Sequence, residues 1–198
     1  MMILDIDRAA SLVQQGEIVA HPTETFYGLG VLVENARALE KLFTVKSREP
    51  DKPVLFLIGS ADALPQWVAT ITPLQQRLME EFWPGPLTLL FKGKKGLSPF
   101  ITSPEGHVAI RISSDPETRL LCQKLGSAMT STSANPSGLP PASSGEEVES
   151  YFGSKISGIV SGKKLGASRG STILDVTGDE PRLIREGDLS FKTIKLFL

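Results

Sequence analysis

The sequence predicts an α/β fold, a twisted, mixed, open sheet with helices packed on it. Three observations carry that reading. Segments with helical periodicity and explicit start and stop signals recur along the chain. Short apolar runs lie between them, too short for helices and rich enough to be buried strands. The two kinds of segment mix without strict alternation, and the last third returns to strands. The 198 residues contain no repeat, low-complexity tract or charged linker, so one domain over residues 1–198 is expected.

The first helix spans about Asp7 to Gln15, with Ala9, Leu12 and Val13 on one face and Gly16 as its stop. Glu17 to His21 then reads as a strand running into Pro22. Asn35 can cap a helix to Val45 whose buried face holds Leu39, Leu42 and Phe43. Pro53 to Ile58 is a continuous apolar run, as in a buried strand. Thr72-Pro73-Leu74-Gln75 combines a cap, a first-turn proline and a capping-box glutamine. Leu87–Phe91 and Val108–Ile112 read as strands. Asp115-Pro116 opens a helix that Gly126 stops, and Ser144 with Glu147 opens a short one ending near Gly153. Gly158–Ser161, Ser171–Val176 and Leu183–Arg185 complete the strands.

Composition narrows the function. A net charge of -1 argues against a generally basic nucleic-acid coat, though a local basic patch is compatible with it. The single Cys122 excludes an intramolecular disulfide and reads as core. With two histidines and one cysteine, a structural zinc site or a Ser–His or Cys–His nucleophile has little material. No apolar run reaches the roughly 18 residues of a membrane span, and no signal-peptide pattern opens the chain. A soluble, cytoplasmic protein with no membrane partner is the expectation.

One stretch does not look like core. Met129 to Gly138 holds five hydroxyls and one amide in ten residues. Unpaired buried hydroxyls are costly, so a strand here would favour aliphatics. Hydroxyls and backbone N–H groups near a glycine can cradle an anion. Other segments offer further walls. Pro22-Thr23-Glu24-Thr25-Phe26-Tyr27-Gly28-Leu29-Gly30 follows a strand, where open α/β sheets place ligands. Alone it also fits a plain glycine turn, and it lacks the dinucleotide fingerprint. Lys46-Ser47-Arg48 and Lys52 bring three cations into seven residues, a phosphate site or a solvated loop. Arg111 interrupts an apolar strand, either facing solvent or serving as a carboxylate clamp. Ser171 and Arg185 sit at strand ends. Cations and hydroxyls without a nucleophile suggest catalysis by positioning and charge neutralisation on phosphates.

Taken together, these segments resemble the YrdC-like family, the threonylcarbamoyl-AMP synthases. The matching pieces are Pro22–Gly30, Lys46-Ser47-Arg48 with Asp51-Lys52-Pro53, Trp83–Thr88, Ala109–Arg111, Ser131–Gly138 and Ser171–Ile173. Their order and spacing run from about residue 8 to 187. The resemblance implies a twisted sheet around a positively lined cavity, in the short form without an extra C-terminal domain. It implies a nucleotidyltransferase that makes threonylcarbamoyl-AMP and pyrophosphate from L-threonine, bicarbonate and ATP. The product would pass to threonylcarbamoyl-transfer proteins acting on tRNA.

By the same resemblance, Thr25, Thr23, Arg111 and Ser171 meet threonine. Lys46, Arg48, Lys52, Ser131, Ser133 and Arg185 meet the nucleotide, with Asn135 shaping the loop. Lys46 and Arg48 would act on the phosphates. Mg²⁺ is expected with ATP, and no protein metal-ligand cluster is visible. Leu57 departs from relatives that carry a histidine there. Two rivals stand beside this reading. One is a protein that binds tRNA or double-stranded RNA, with Lys92, Lys94 and Lys95 as a basic rim. The other is a paralogue acting on another amino acid or carbamoyl substrate.

Overall fold

The computed structural model describes residues 2–198 and has the α/β class that the sequence predicts. Eleven strands form two mixed sheets where the sequence suggested one. The first sheet has five strands: β1 (Ile3–Leu4), β2 (Val19–His21), β3 (Gly28–Gly30), β8 (Thr132–Ser133) and β9 (Gly158–Val160). Its order is β1-β9-β2-β3-β8. The second has six: β4 (Phe56–Leu57), β5 (Leu87–Lys92), β6 (His107–Arg111), β7 (Met129–Thr130), β10 (Thr172–Asp175) and β11 (Arg182–Arg185). Its order is β11-β10-β5-β6-β4-β7.

Helices form where cap and periodicity coincide. They are α1 (Ile6–Gln14), α2 (Ala36–Lys46), α3 (Pro73–Phe82), α4 (Pro116–Leu125), α5 (Gly145–Phe152) and α6 (Phe191–Ile194). Asn35, Thr72, Asp115 and Ser144 each accept a hydrogen bond from an N–H of the first turn, which satisfies one orphan donor. Thr72 and Gln75 complete the capping box. Gly126 ends α4 at φ 63°, a left-handed conformation that glycine adopts without strain. One apolar cluster runs through both sheets, from Ala20 and Leu29 to Leu89 and Ile110. Cys122 lies in a second cluster under α1 and α4, buried as expected, and its thiol is pushed up to about 12 by burial.

Two expectations fail locally. Gly28–Gly30 is a strand and not a turn. A Cβ at Gly28 would lie 2.7 Å from Ser131 Oγ and 2.8 Å from His21 Nε2, so glycine here permits close approach. The hydroxyl-rich stretch is also part strand. Thr130 Oγ1 donates to Leu29 O at 3.0 Å and accepts from Val31 N at 3.1 Å, so its buried hydroxyl is fully paired. β7 belongs to the six-stranded sheet and β8 to the five-stranded one. The chain changes sheets at Ser131, whose N–H donates to Leu55 O at 3.0 Å. That crossover brings the two sheets together at the site.

Candidate active site

A cavity of about 360 Å³ opens at this seam. Its walls include Thr23, Thr25, Arg48, Arg111, Ser131, Ser133, Ser171 and Arg185, drawn from both sheets and from the loop after α2. Eight of the eleven residues expected to form a site are thus brought together. No carboxylate is among the lining residues. Phe26 and Ile173, from segments that the sequence marked, and Ile184, which it did not, add apolar walls.

The hydroxyls differ in what they can still do. Thr23 Oγ1 donates to Phe26 O at 2.7 Å and accepts from the N–H groups of Thr25 and Phe26. Its proton is therefore committed, and the 3.0 Å contact with Thr25 is a donation from Thr25 Oγ1. Thr23 builds the turn, while the lone pairs of Thr25 Oγ1 stay available to a donor. Ser171 Oγ accepts from Thr88 Oγ1 at 2.9 Å and from Arg185 Nη2 at 3.3 Å, which leaves its own proton for a ligand. Ser133 Oγ donates to Asn135 Oδ1 at 2.6 Å. Asn135 in turn donates to Pro136 O and Leu139 O, so it shapes the loop.

Arg111 settles its open question in favour of the cleft. It lies on β6, is 3% exposed and lines the cavity. Its Nη1 donates to Glu24 Oε1, and Ser113 Oγ donates to Glu24 Oε2. Glu24 and Ser113 are partners that sequence reasoning missed. The carboxylate was visible between two threonines, but nothing local showed what it faces. His21 was also missed. Buried and held near pKa 4 by desolvation, it meets Thr118 Oγ1 through Nδ1 at 3.0 Å. Thr118 donates to Pro22 O at 2.5 Å, which pins the start of the Thr23–Thr25 turn to α4.

The basic loop is divided. Arg48 donates from Nε to Lys52 O at 2.7 Å and from Nη2 to Pro53 O at 3.1 Å, and it lines the cavity. Lys46 is 2% exposed and turned elsewhere: Nζ donates to Ser133 O at 2.5 Å and Asn135 O at 2.7 Å. Burial first, and then Arg48, lowers its pKa to about 8. Ser47, in the left-handed region at φ 51°, separates the two directions. Lys52 is exposed and paired with Glu49, outside the cavity lining. Lys92, Lys94 and Lys95 do not line it either. Leu57 is buried in β4 opposite Arg111 and Met129.

Fold and site together define an α/β protein with a cavity between two mixed sheets, lined by hydroxyls and guanidinium groups. A model of the Sua5/YciO/YrdC family, described as "Telomere recombination", matches residues 11–187, and the chain belongs to that family. Threonylcarbamoyl-AMP synthase from Photobacterium profundum is 33% identical over 185 residues, 92% of this chain and 99% of the relative. The Bacillus subtilis enzyme of that name is 36% identical over 191 residues, 96% of this chain and 55% of its own. Among solved structures, P. abyssi Sua5 complexed with L-threonine matches with a TM-score of 0.95 and 30% identity. The match covers all of this chain and 61% of that one, so the chain spans less than two thirds of these longer relatives. E. coli YciO matches at 0.86 and 26%, over 96% of this chain and 92% of its own.

Proposed function

We propose that the chain is an L-threonylcarbamoyladenylate synthase, converting L-threonine, bicarbonate and ATP to threonylcarbamoyl-AMP and pyrophosphate. The observation that carries this reading is the cavity's division of labour. Thr25, Arg111 and Ser171 offer an amino acid an acceptor, a guanidinium and a free hydroxyl proton. Arg48 and Arg185 offer charge to phosphate, and Ser131 offers a hydroxyl with its proton uncommitted. The names of the relatives and the threonine-bound neighbour support the same assignment.

The threonine amine attacks bicarbonate, and the nitrogen–carbon bond forms as water leaves. A carbamate oxygen then attacks the α-phosphorus of ATP, and the bond to the pyrophosphate oxygen breaks. Arg48 and Arg185 offset charge growing on the phosphates. Arg111 and Thr25 hold the amino acid with its amine free, which supplies proximity. Lys46 acts one step back, holding the carbonyls of Ser133 and Asn135 so that the hydroxyl wall keeps its shape.

Among the described residues no group of three or more His, Cys, Asp or Glu is placed to hold a metal. Hydroxyls and guanidinium groups make poor Mg²⁺ ligands, so Mg²⁺ enters as the counter-ion of ATP, held by phosphate oxygens. No helix of the described residues is long and apolar enough to cross a membrane, and we place the enzyme in the cytoplasm, supplying transfer proteins that act on tRNA.

Purified protein mixed with ATP, bicarbonate and a panel of amino acids should release pyrophosphate with threonine. Arg111→Ala should abolish most release while the fold is kept. Release with a different amino acid would replace this reading with the paralogue. No release, together with tight salt-sensitive RNA binding, would replace it with the RNA-binding one.

A further inference from the structure

Arg111 does not stand alone in the cavity wall. Its side chain is 3% exposed, and Glu24, the carboxylate paired with it, has a side chain 17% exposed. The pairing uses one nitrogen only. Nη1 goes to Glu24 Oε1, while Nε is buried without a partner in the protein. In a guanidinium, the Nε–H and one N–H of Nη2 lie on a common edge and match the two oxygens of a carboxylate. Glu24 therefore occupies the part of the group that this edge does not use. Glu24 is itself held on its other oxygen by Ser113, which follows β6 two residues after Arg111. Ser113 is also 2% exposed, so the two groups that hold Glu24 are both shielded from bulk water.

The charge arithmetic has a consequence for ligand choice. Three arginines line the cavity and no carboxylate does. ATP and pyrophosphate are polyanions that would favour every unpaired guanidinium there. A partly buried carboxylate against Arg111 offsets that one charge, while Arg48 and Arg185 donate only to neutral protein oxygens. We infer that Glu24, braced by Ser113, is a positioning and specificity-determining residue. It presents the Nε–Nη2 edge of Arg111 to a monocarboxylate and keeps phosphate out of the amino-acid end. This rests on the reading of the cavity as an ATP and threonine site.

The test uses the full chain. L-Threonine, ATP and inorganic pyrophosphate are titrated calorimetrically into wild type, Glu24→Gln and Ser113→Ala. Glu24→Gln should weaken threonine binding about 10- to 100-fold, the effect of losing a charge-assisted contact. ATP affinity should stay within about twofold. Pyrophosphate should compete with threonine in Glu24→Gln and not in wild type. Ser113→Ala should shift threonine in the same direction by less, and it keeps the test open should Glu24→Gln not fold. Threonine binding unchanged in the folded variants, or ATP weakened as much as threonine, overturns the inference. Wild type that binds ATP and no threonine overturns the functional reading itself, and the inference with it.

Discussion

Replacing Lys46 by Met keeps most of the apolar stem and removes the ammonium. In the wild type that ammonium is buried and donates to Ser133 O and Asn135 O. Burial lowers its pKa from 10.5 to about 8. The difference corresponds to about 3 kcal/mol by which the folded state disfavours the charged form. Between pH 8 and 10.5 the unfolded chain carries a proton on Lys46 that the folded chain lacks, so stability rises with pH across that window. Below pH 8 both states are protonated, and the penalty is fully present. Urea unfolding of wild type and Lys46→Met at pH 7, 8, 9 and 10 should therefore show a gap that widens in favour of wild type by about 2–3 kcal/mol. The neutral amine still donates hydrogen bonds, so the loop stays tied as the proton leaves. At pH 7 the variant should lose pyrophosphate release, because two buried carbonyls lose their donor and the Ser133–Asn135 wall loosens. A stability gap flat from pH 7 to 10 would refute the burial argument. Wild-type turnover in the variant would refute the wall argument.

Three further outcomes follow from placement. Gly28→Ala puts a methyl 2.7 Å from Ser131 Oγ and 2.8 Å from His21 Nε2, so it should cost about 1–3 kcal/mol in chemical denaturation and lower synthase activity. Lys52→Ala should leave the KM for ATP within about twofold, since an exposed pair with Glu49 contributes little; a tenfold rise would put Lys52 back at the nucleotide. Burial lowers the His21 pKa from 6.5 to about 4, so the unfolded state binds the extra proton between those values. Wild type should thus lose about 3 kcal/mol relative to His21→Gln as pH falls from 6.5 to 4, read by denaturation at both ends. Parallel curves for the two proteins would show that His21 does not titrate in this way.

The helices were legible because their signals are local. Asn35, Thr72, Asp115 and Ser144 cap the helices that their positions predict, and the stop at Gly126 is where it should be. Strand pairing was less legible. Pro53–Ile58 looks like a full strand, yet only Phe56–Leu57 pairs. Gly28–Gly30 looks like a turn, because a strand that makes room for His21 and Ser131 must use glycine. In the site, residue types were visible and directions were not. Lys46 and Arg48 are two residues apart and share a charge, but a left-handed Ser47 sends one to backbone carbonyls and leaves the other on the cavity. Glu24 meets Arg111 across 87 residues of sequence, a distance over which no local pattern can speak.

The hydroxyl-rich stretch shows why such a site resists local reading. Its density of hydroxyls argued against a strand on the ground that buried hydroxyls need partners. The premise is right, and the conclusion failed because partners exist. Thr130 is satisfied by the backbone of Leu29 and Val31, and Ser133 by Asn135. Ser131, at the step from β7 to β8, and Thr132 beside it line the cavity with hydroxyls that make no hydrogen bond to the protein among the described residues. One segment thus joins two sheets and leaves two hydroxyls over. An aliphatic strand could make the same join, but it would leave nothing at the seam to receive a ligand. The need to pair every buried polar group therefore separates the residues that build this wall from the two whose hydroxyls stay open on the cavity.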